Sequence, residues 1–168
     1  LSSSILVLHQ GDPEALRAGR IYLGLALLGE VLILNGFVFL VLAGGTTLIA
    51  QLHQGAVSPA ALLLLLIGFG VKAGALSLHF WLPLAHPAAP VPASAVLSGA
   101  MIKAGLLGWI RFLPLGESWL PLSGYTLLCA GLGAAFYGTF VGLLQTNEKA
   151  VLAYSSISQM GWITAAVG

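Results

Sequence analysis

Charge is what this sequence has least of: six Lys or Arg and five Asp or Glu in 168 residues, 7% in all, against roughly 25% for an ordinary soluble domain. A water-soluble fold of this length would lack the charges to cover its surface. No basic cluster exists to follow a phosphate backbone, and the net charge is +1, so nucleic acid is excluded as a partner. There is one cysteine, Cys129 in "LLCAGLGAA", which rules out an intrachain disulfide and reads as a small apolar filler. With one cysteine, no credible haem pair and no nucleotide loop, no redox cofactor is expected. Any oxidoreductase activity would belong to an assembly and not to this polypeptide. Acid is missing altogether between Glu30 and Glu117. That gap disposes of a tempting pattern, Gly68-x-Gly70-x-x-Ala73 after "LLLLLI", because a dinucleotide-binding turn needs an acidic residue about 20 positions later. The opening "LSSSILVLHQ" has no initiator Met, basic region or cleavage site and is not expected to be a signal peptide. Both ends read as internal to a longer polypeptide.

Apolar residues are abundant, at 58%, with a mean hydropathy of +1.00. Several apolar runs approach the ~20 residues a helix needs to cross ~30 Å of hydrocarbon. The expected fold is all-α: part of a polytopic transmembrane bundle, with about four full helices and two truncated ones. Residues 1–9 read as the tail of one helix and "HQGDPEALRAGR" as a connector whose Asp12-Pro13 opens a helix. The next helix runs from about Ala18 to Ala43, and "GGTTLIAQLHQGAVSP" is a Gly-rich loop with one short amphipathic turn. A third helix starts near Pro59 and is broken near Pro83, since Pro83, Pro87, Pro90 and Pro92 cannot share a continuous helix. A fourth runs from Pro92 to Arg111, a fifth from about Ser118 to Gln145, and a sixth starts near Glu148. Alternating connectors put Arg17, Arg20 and Lys149 on one side and Arg111 on the other, so the first side is expected to be cytoplasmic. The stripe Ala134, Gly138, Gly142 predicts close helix packing.

Two lysines fall inside these apolar helices. Lys72 lies roughly 20 Å along a helix beginning at Pro59, and Lys103 roughly 16 Å beyond Pro92 on the next, oppositely directed helix. Both are therefore expected near mid-membrane, where a charge costs about 2.5–3.5 kcal/mol on insertion scales and normally faces protein or water. Desolvation and a second cation lower a lysine pKa, whereas a carboxylate raises it, so such a pair meets the physical requirement for a proton relay. The structural alternative is a static salt bridge, or capping of carbonyls freed at a helix break. Glu30, in "LALLGEVLIL", is either a partner for these lysines or reaches the wet end of its helix. His79, two turns after Lys72, is either a proton carrier or a structural imidazole, and His86 reads as a loop residue at the membrane surface. No metal site is expected, since Pro83 separates the two histidines and no Cys or carboxylate is near them in sequence.

The run "GFGVKAGALSLHFWLPLAHPAAPVPASAVLSGAMIKAGLLGWIRF" resembles the core of the antiporter-like membrane subunits of respiratory complex I, a family that includes Mrp-type cation/proton antiporter subunits and membrane-bound hydrogenase subunits. "QTNEKAVLAYSSISQMG" and "PEALRAGRIYLGLALLGEVLIL" resemble two further junctions of that family, so the likeness covers essentially the whole chain. It implies that residues 1–168 are the fifth to tenth helices of a larger proton-conducting bundle in a bacterial inner membrane, working with other membrane subunits. It also implies that Lys72, Lys103 and His79 occupy the family's proton-relay positions. The transported ion would be the proton, driven by a redox partner, or in the Mrp branch sodium or potassium exchanged for protons. The family's fifth-helix glutamate precedes an "LSSY" stretch, whereas this chain starts at "LSSS". Glu30 stands where complex I members usually carry a small residue, Leu84 replaces an aspartate, and Ala150 replaces an arginine.

Overall fold

The computed structural model describes residues 13–45, 58–75, 78–113 and 123–168, and these are almost wholly helical. The expected helix tail at residues 1–9, the turn within 46–57 and the start of the helix expected from Ser118 lie outside them. Helix α1 (Pro13–Gly44) has 32 residues, roughly 48 Å of rise. It begins a turn earlier than expected, because Pro13 serves as a helix start and the "EALRAGR" that follows is itself a good helix former. Helix α2 (Pro59–Ala73) runs back along α1 and has 15 residues, too few to cross a bilayer alone. Helix α3 (Trp81–Ala88) resumes after an interruption.

The interruption is present as expected, but proline does not make it. Gly74 does, at φ +66°, a left-handed conformation that a Cβ disfavours. Its N–H bonds Val71 O at 3.2 Å and that of Ala75 bonds Gly70 O at 2.9 Å, the paired bonds of a Schellman helix end. Pro83 lies in the first turn of α3 and Pro87 within that helix. The third expected crossing is thus two short helices in series.

Helix α4 (Val91–Val96) passes through a wide π turn (Leu97–Met101) into α5 (Ile102–Phe112), together an apolar span of 22 residues. Helices α6 (Ser123–Leu143) and α7 (Glu148–Val167) form a hairpin. Its two backbones nearly touch: a Cβ on Gly138 would lie 2.7 Å from both Ser158 N and Tyr154 O. The small-residue stripe is therefore a packing device, with Ala134 3% exposed. Cys129, by contrast, is exposed on the surface of the described residues.

Three helices among the described residues are long and apolar enough to cross a membrane: Ala15–Gly44, Val91–Phe112 and Gly124–Leu143. The core runs between α1, α2, α3 and α5, with Leu62, Leu65, Leu82, Ile102 and Trp109 almost fully buried. Tyr22 of α1 packs on Trp81 with ring centroids 5.2 Å apart, so α3 lies along the N-terminal part of α1, where Ala15 and Ala18 are also buried. Lys149 reaches the far end of α3. Arg17, Arg20 and Lys149 consequently share one end of the bundle, while Arg111, beside the Phe112–Phe37 contact of 4.7 Å, is at the other.

Candidate functional site

Lys72 occupies the last turn of α2, where the helix dipole favours a cation. Its Nζ lies 2.5 Å from Glu30 Oε1 on α1, in both a hydrogen bond and an ion pair. The two residues are 42 positions apart in sequence. Antiparallel packing brings them together, with Gly29 set against Val71 and Gly68 against Ile33. Glu30 is thus paired with Lys72 and also 59% exposed.

The carbonyls freed by the helix end need donors other than Lys72. Val71 O accepts the Gly74 N–H and also the Trp81 indole Nε1–H at 3.0 Å. Trp81 is 3% exposed and so closes the break with a buried side chain. Lys72 is thereby left to face Glu30. The pair opens onto a cavity of about 360 Å³ whose lining includes Tyr22, Gly29, Glu30, Lys72, Trp81 and Met101. That volume holds on the order of ten waters at ~30 Å³ each. The Tyr22 hydroxyl points to Met101 Sδ at 3.8 Å, so an aromatic wall and a thioether face the charged floor.

Lys103 behaves differently. Gly105 lies against the backbone of Ala73 and Phe69, so Lys103, two residues away, is within about one helical turn of Lys72 along the bundle. The two lysines thus lie near one level of the bundle. The structure brings no contact between them. The exposed Lys103 side chain folds back and its Nζ donates to Ser98 O at 3.1 Å, within the π turn. This is the carbonyl-capping role that was the structural alternative for these lysines. π turns are frequent at functional sites because they loosen the backbone ladder.

His79 sits in the interruption, 6% exposed, with Nδ1 buried and without a hydrogen-bond partner. Its ring lies 5.0 Å from that of Phe80 and 5.1 Å from that of Tyr137 on α6, and Tyr137 contacts Tyr154 on α7. His79 is not among the residues lining the Lys72–Glu30 cavity. His86 corrects the surface-loop reading: it is 0% exposed in α3, and its Nδ1 shares a 2.5 Å hydrogen bond with Ser94 Oγ. A histidine among four prolines looks like a loop, but here α3 takes in two of them, Pro83 and Pro87, and turns the imidazole inward. Tyr22, Trp81 and Met101 are the cavity residues the sequence reading missed; the Tyr22–Met101 contact spans 79 positions, beyond any local pattern.

Comparison with known proteins identifies the family of the chain. The family model described as NADH:quinone oxidoreductase/Mrp antiporter, transmembrane, matches residues 1–168. The chain belongs to this family. As a member of the NADH:quinone oxidoreductase/Mrp antiporter family with three apolar spans, it is an integral membrane polypeptide. It is similar to an uncharacterized protein of Mycobacterium tuberculosis H37Rv, 41% identical over all of this chain and 27% of that protein. Hydrogenase-4 component B of Escherichia coli K12 is 38% identical over all of this chain and 26% of its own length. A putative antiporter subunit of Staphylococcus epidermidis is 39% identical over 83% of this chain and 18% of that protein. The chain thus spans about a quarter of the length of the first two relatives. A structure of the Mrp complex from Dietzia sp. DQ12-45-1b superposes with a TM-score of 0.85 at 22% identity, over 99% of this chain and 33% of that one, which shows a shared fold.

Proposed function

We propose that the chain is the fifth-to-tenth-helix segment of a proton-translocating subunit in a redox-driven membrane complex, of the hydrogenase-linked or NADH:quinone oxidoreductase type. The observation that carries this reading is the Lys72–Glu30 ion pair, set at a helix interruption and open to a cavity large enough for water. An ionisable residue within a membrane bundle is a functional-site candidate by default, and an interrupted helix leaves backbone that must lie near water or protein. Lys72 exchanges a proton with water in the cavity while Glu30 holds the charged form, and Lys103 takes the next step on α5 after leaving its carbonyl. His79 carries protons at the interruption. The chain works beside other membrane subunits in a bacterial inner membrane, and the electron-transfer chemistry lies in those partners.

The similarity to a putative antiporter subunit supports a second reading, exchange of sodium or potassium for protons through the same residues. The two differ in what drives transport, a redox substrate or a cation gradient. Lys72→Ala in the full-length protein, with proton uptake followed in vesicles, tests the shared core of both: uptake falls to background if Lys72 is the relay, and unaltered uptake refutes the assignment.

A further inference from the structure

Lys149 stands in the first turn of α7, directly after the Asn147 cap whose side chain accepts its backbone N–H at 2.9 Å. By position it is a surface cation at the end of a membrane helix. Its side chain does something else: Nζ donates to Ala89 O at 2.8 Å and to Pro87 O at 3.4 Å, both at the C-terminal end of α3. Those carbonyls need an outside donor. Pro90 and Pro92 have no N–H, so the chain beyond α3 supplies too few donors to continue the ladder, and an ammonium at a helix C-terminus is further favoured by the dipole.

Helix α3 is therefore tied at both ends. At its start, Trp81 Nε1 bonds the Val71 carbonyl one residue from Lys72. At its finish, Lys149 bonds it to the α6–α7 hairpin, a unit whose backbones touch at Gly138. Between the ties, eight residues of helix span roughly 12 Å, with Leu82, Ala85 and His86 fully buried. A short helix between two breaks has no continuous ladder to fix its place, so these ties add to core burial in fixing it.

We propose that Lys149 is a positioning residue for the Lys72–Glu30 site: its ammonium clamps the end of α3 to the α6–α7 hairpin, and α3 passes that constraint to the Lys72 turn through the Trp81–Val71 bond. The inference rests on the proton-translocation reading above, since it is that site which Lys149 positions. Lys149 itself is not among the residues lining the Lys72–Glu30 cavity.

The test uses the full-length protein in its assembled complex, with native cysteines, Cys129 among them, replaced. Spin labels go on Leu84 of α3 and Leu152 of α7, which are 42% and 59% exposed. Lys149→Met removes the donors at nearly constant length, and Lys149→Arg restores them. In Lys149→Met the α3–α7 distance distribution broadens and proton uptake falls roughly tenfold, the order of effect for one charged hydrogen bond; Lys149→Arg recovers both. A distribution as narrow as that of the wild type in Lys149→Met, or uptake unchanged in it, overturns the proposal. Should Lys149→Met not accumulate, Lys149→Gln, which keeps one donor group, is read on the same two measurements. The distance measurement does not depend on pumping, so it judges the clamp even if Lys72→Ala has removed the translocation reading.

Discussion

Replacing Glu30 by Gln and Lys72 by Met, singly and together, isolates the energy of the contact at the centre of the site. At the observed 2.5 Å, two unit charges attract by about 2 kcal/mol in a water-like dielectric and about 7 kcal/mol at an effective dielectric of about 20. Lys72 is 33% and Glu30 59% exposed, so solvent in the cavity screens the pair and the lower end applies. Net of the entropy of holding two side chains together, a coupling of about 1 kcal/mol is expected, roughly a fivefold change in an equilibrium. Each single variant leaves one uncompensated charge beside the helix end and is destabilised by more than its share. The double variant removes both charges, and its loss is smaller than the sum of the singles. Reversible unfolding of the full-length protein in mixed micelles measures the cycle, with proton uptake in vesicles measured in parallel. Stability in the double variant returns toward wild type while uptake does not, which separates holding the helices together from moving protons. Losses that add to within about 0.5 kcal/mol mean that the two residues do not interact, and the site as drawn here is then wrong.

Other perturbations probe the frame around that pair. Gly138→Leu drives a side chain into the α7 backbone at Ser158 and Tyr154 and is expected to cost about 3 kcal/mol or more, read as a lower midpoint of unfolding in detergent. Gly74→Ala forces a Cβ onto a φ of +66° at a cost of about 1 kcal/mol, and Gly74→Asn, which tolerates that conformation better, recovers part of it; equal stability of all three proteins contradicts the Schellman end. Lys103→Met loses one bond to a backbone carbonyl on an exposed face and is expected to change stability by no more than about 1 kcal/mol. In vesicles the same variant loses proton uptake, and normal uptake removes Lys103 from the relay.

The membrane helices were legible because their signal is a bulk one: few charges, long apolar runs, and connectors marked by Gly and Pro. The level match of Lys72 and Lys103 also followed from helix rise alone. The position of the break was misassigned to Pro83 although its true signal was present in "VKAGAL", where a cation in the last turn precedes a glycine. That is the pattern of a helix C-terminus. Four prolines downstream drew attention away from it. Pro83 lies in the first turn of α3, where the N–H groups have no partner anyway, whereas Pro87 lies further inside and costs the helix one ladder bond. Glu30 was left open between two roles because its choice is made by the packing of α1 on α2, and no periodicity within either helix reports that register. The aromatic wall of Tyr22 and Trp81 and the reach of Lys149 to α3 are of the same kind: contacts across 59 or more positions, created only when the bundle closes.

The two lysines that look equivalent in sequence come out unequal in the fold, and the reason lies in who satisfies the loose carbonyls. At the end of α2, Gly74 and the Trp81 indole supply donors to Val71 O, so the ammonium of Lys72 is free to face a carboxylate. At the π turn, Ser98 Oγ donates back to Ser94 O at 3.2 Å, and the Ser98 carbonyl takes its donor from Lys103 itself. Lys72 is consequently held by an opposite charge and Lys103 by a neutral oxygen, a bond worth about 1.5–3 kcal/mol at most and less on an exposed face. Where the site moves protons, the smaller barrier to rearrangement is at Lys103. Its ammonium leaves one carbonyl for water at the cost of a single hydrogen bond, whereas parting Lys72 from Glu30 also gives up the attraction of two opposite charges unless a proton moves with it.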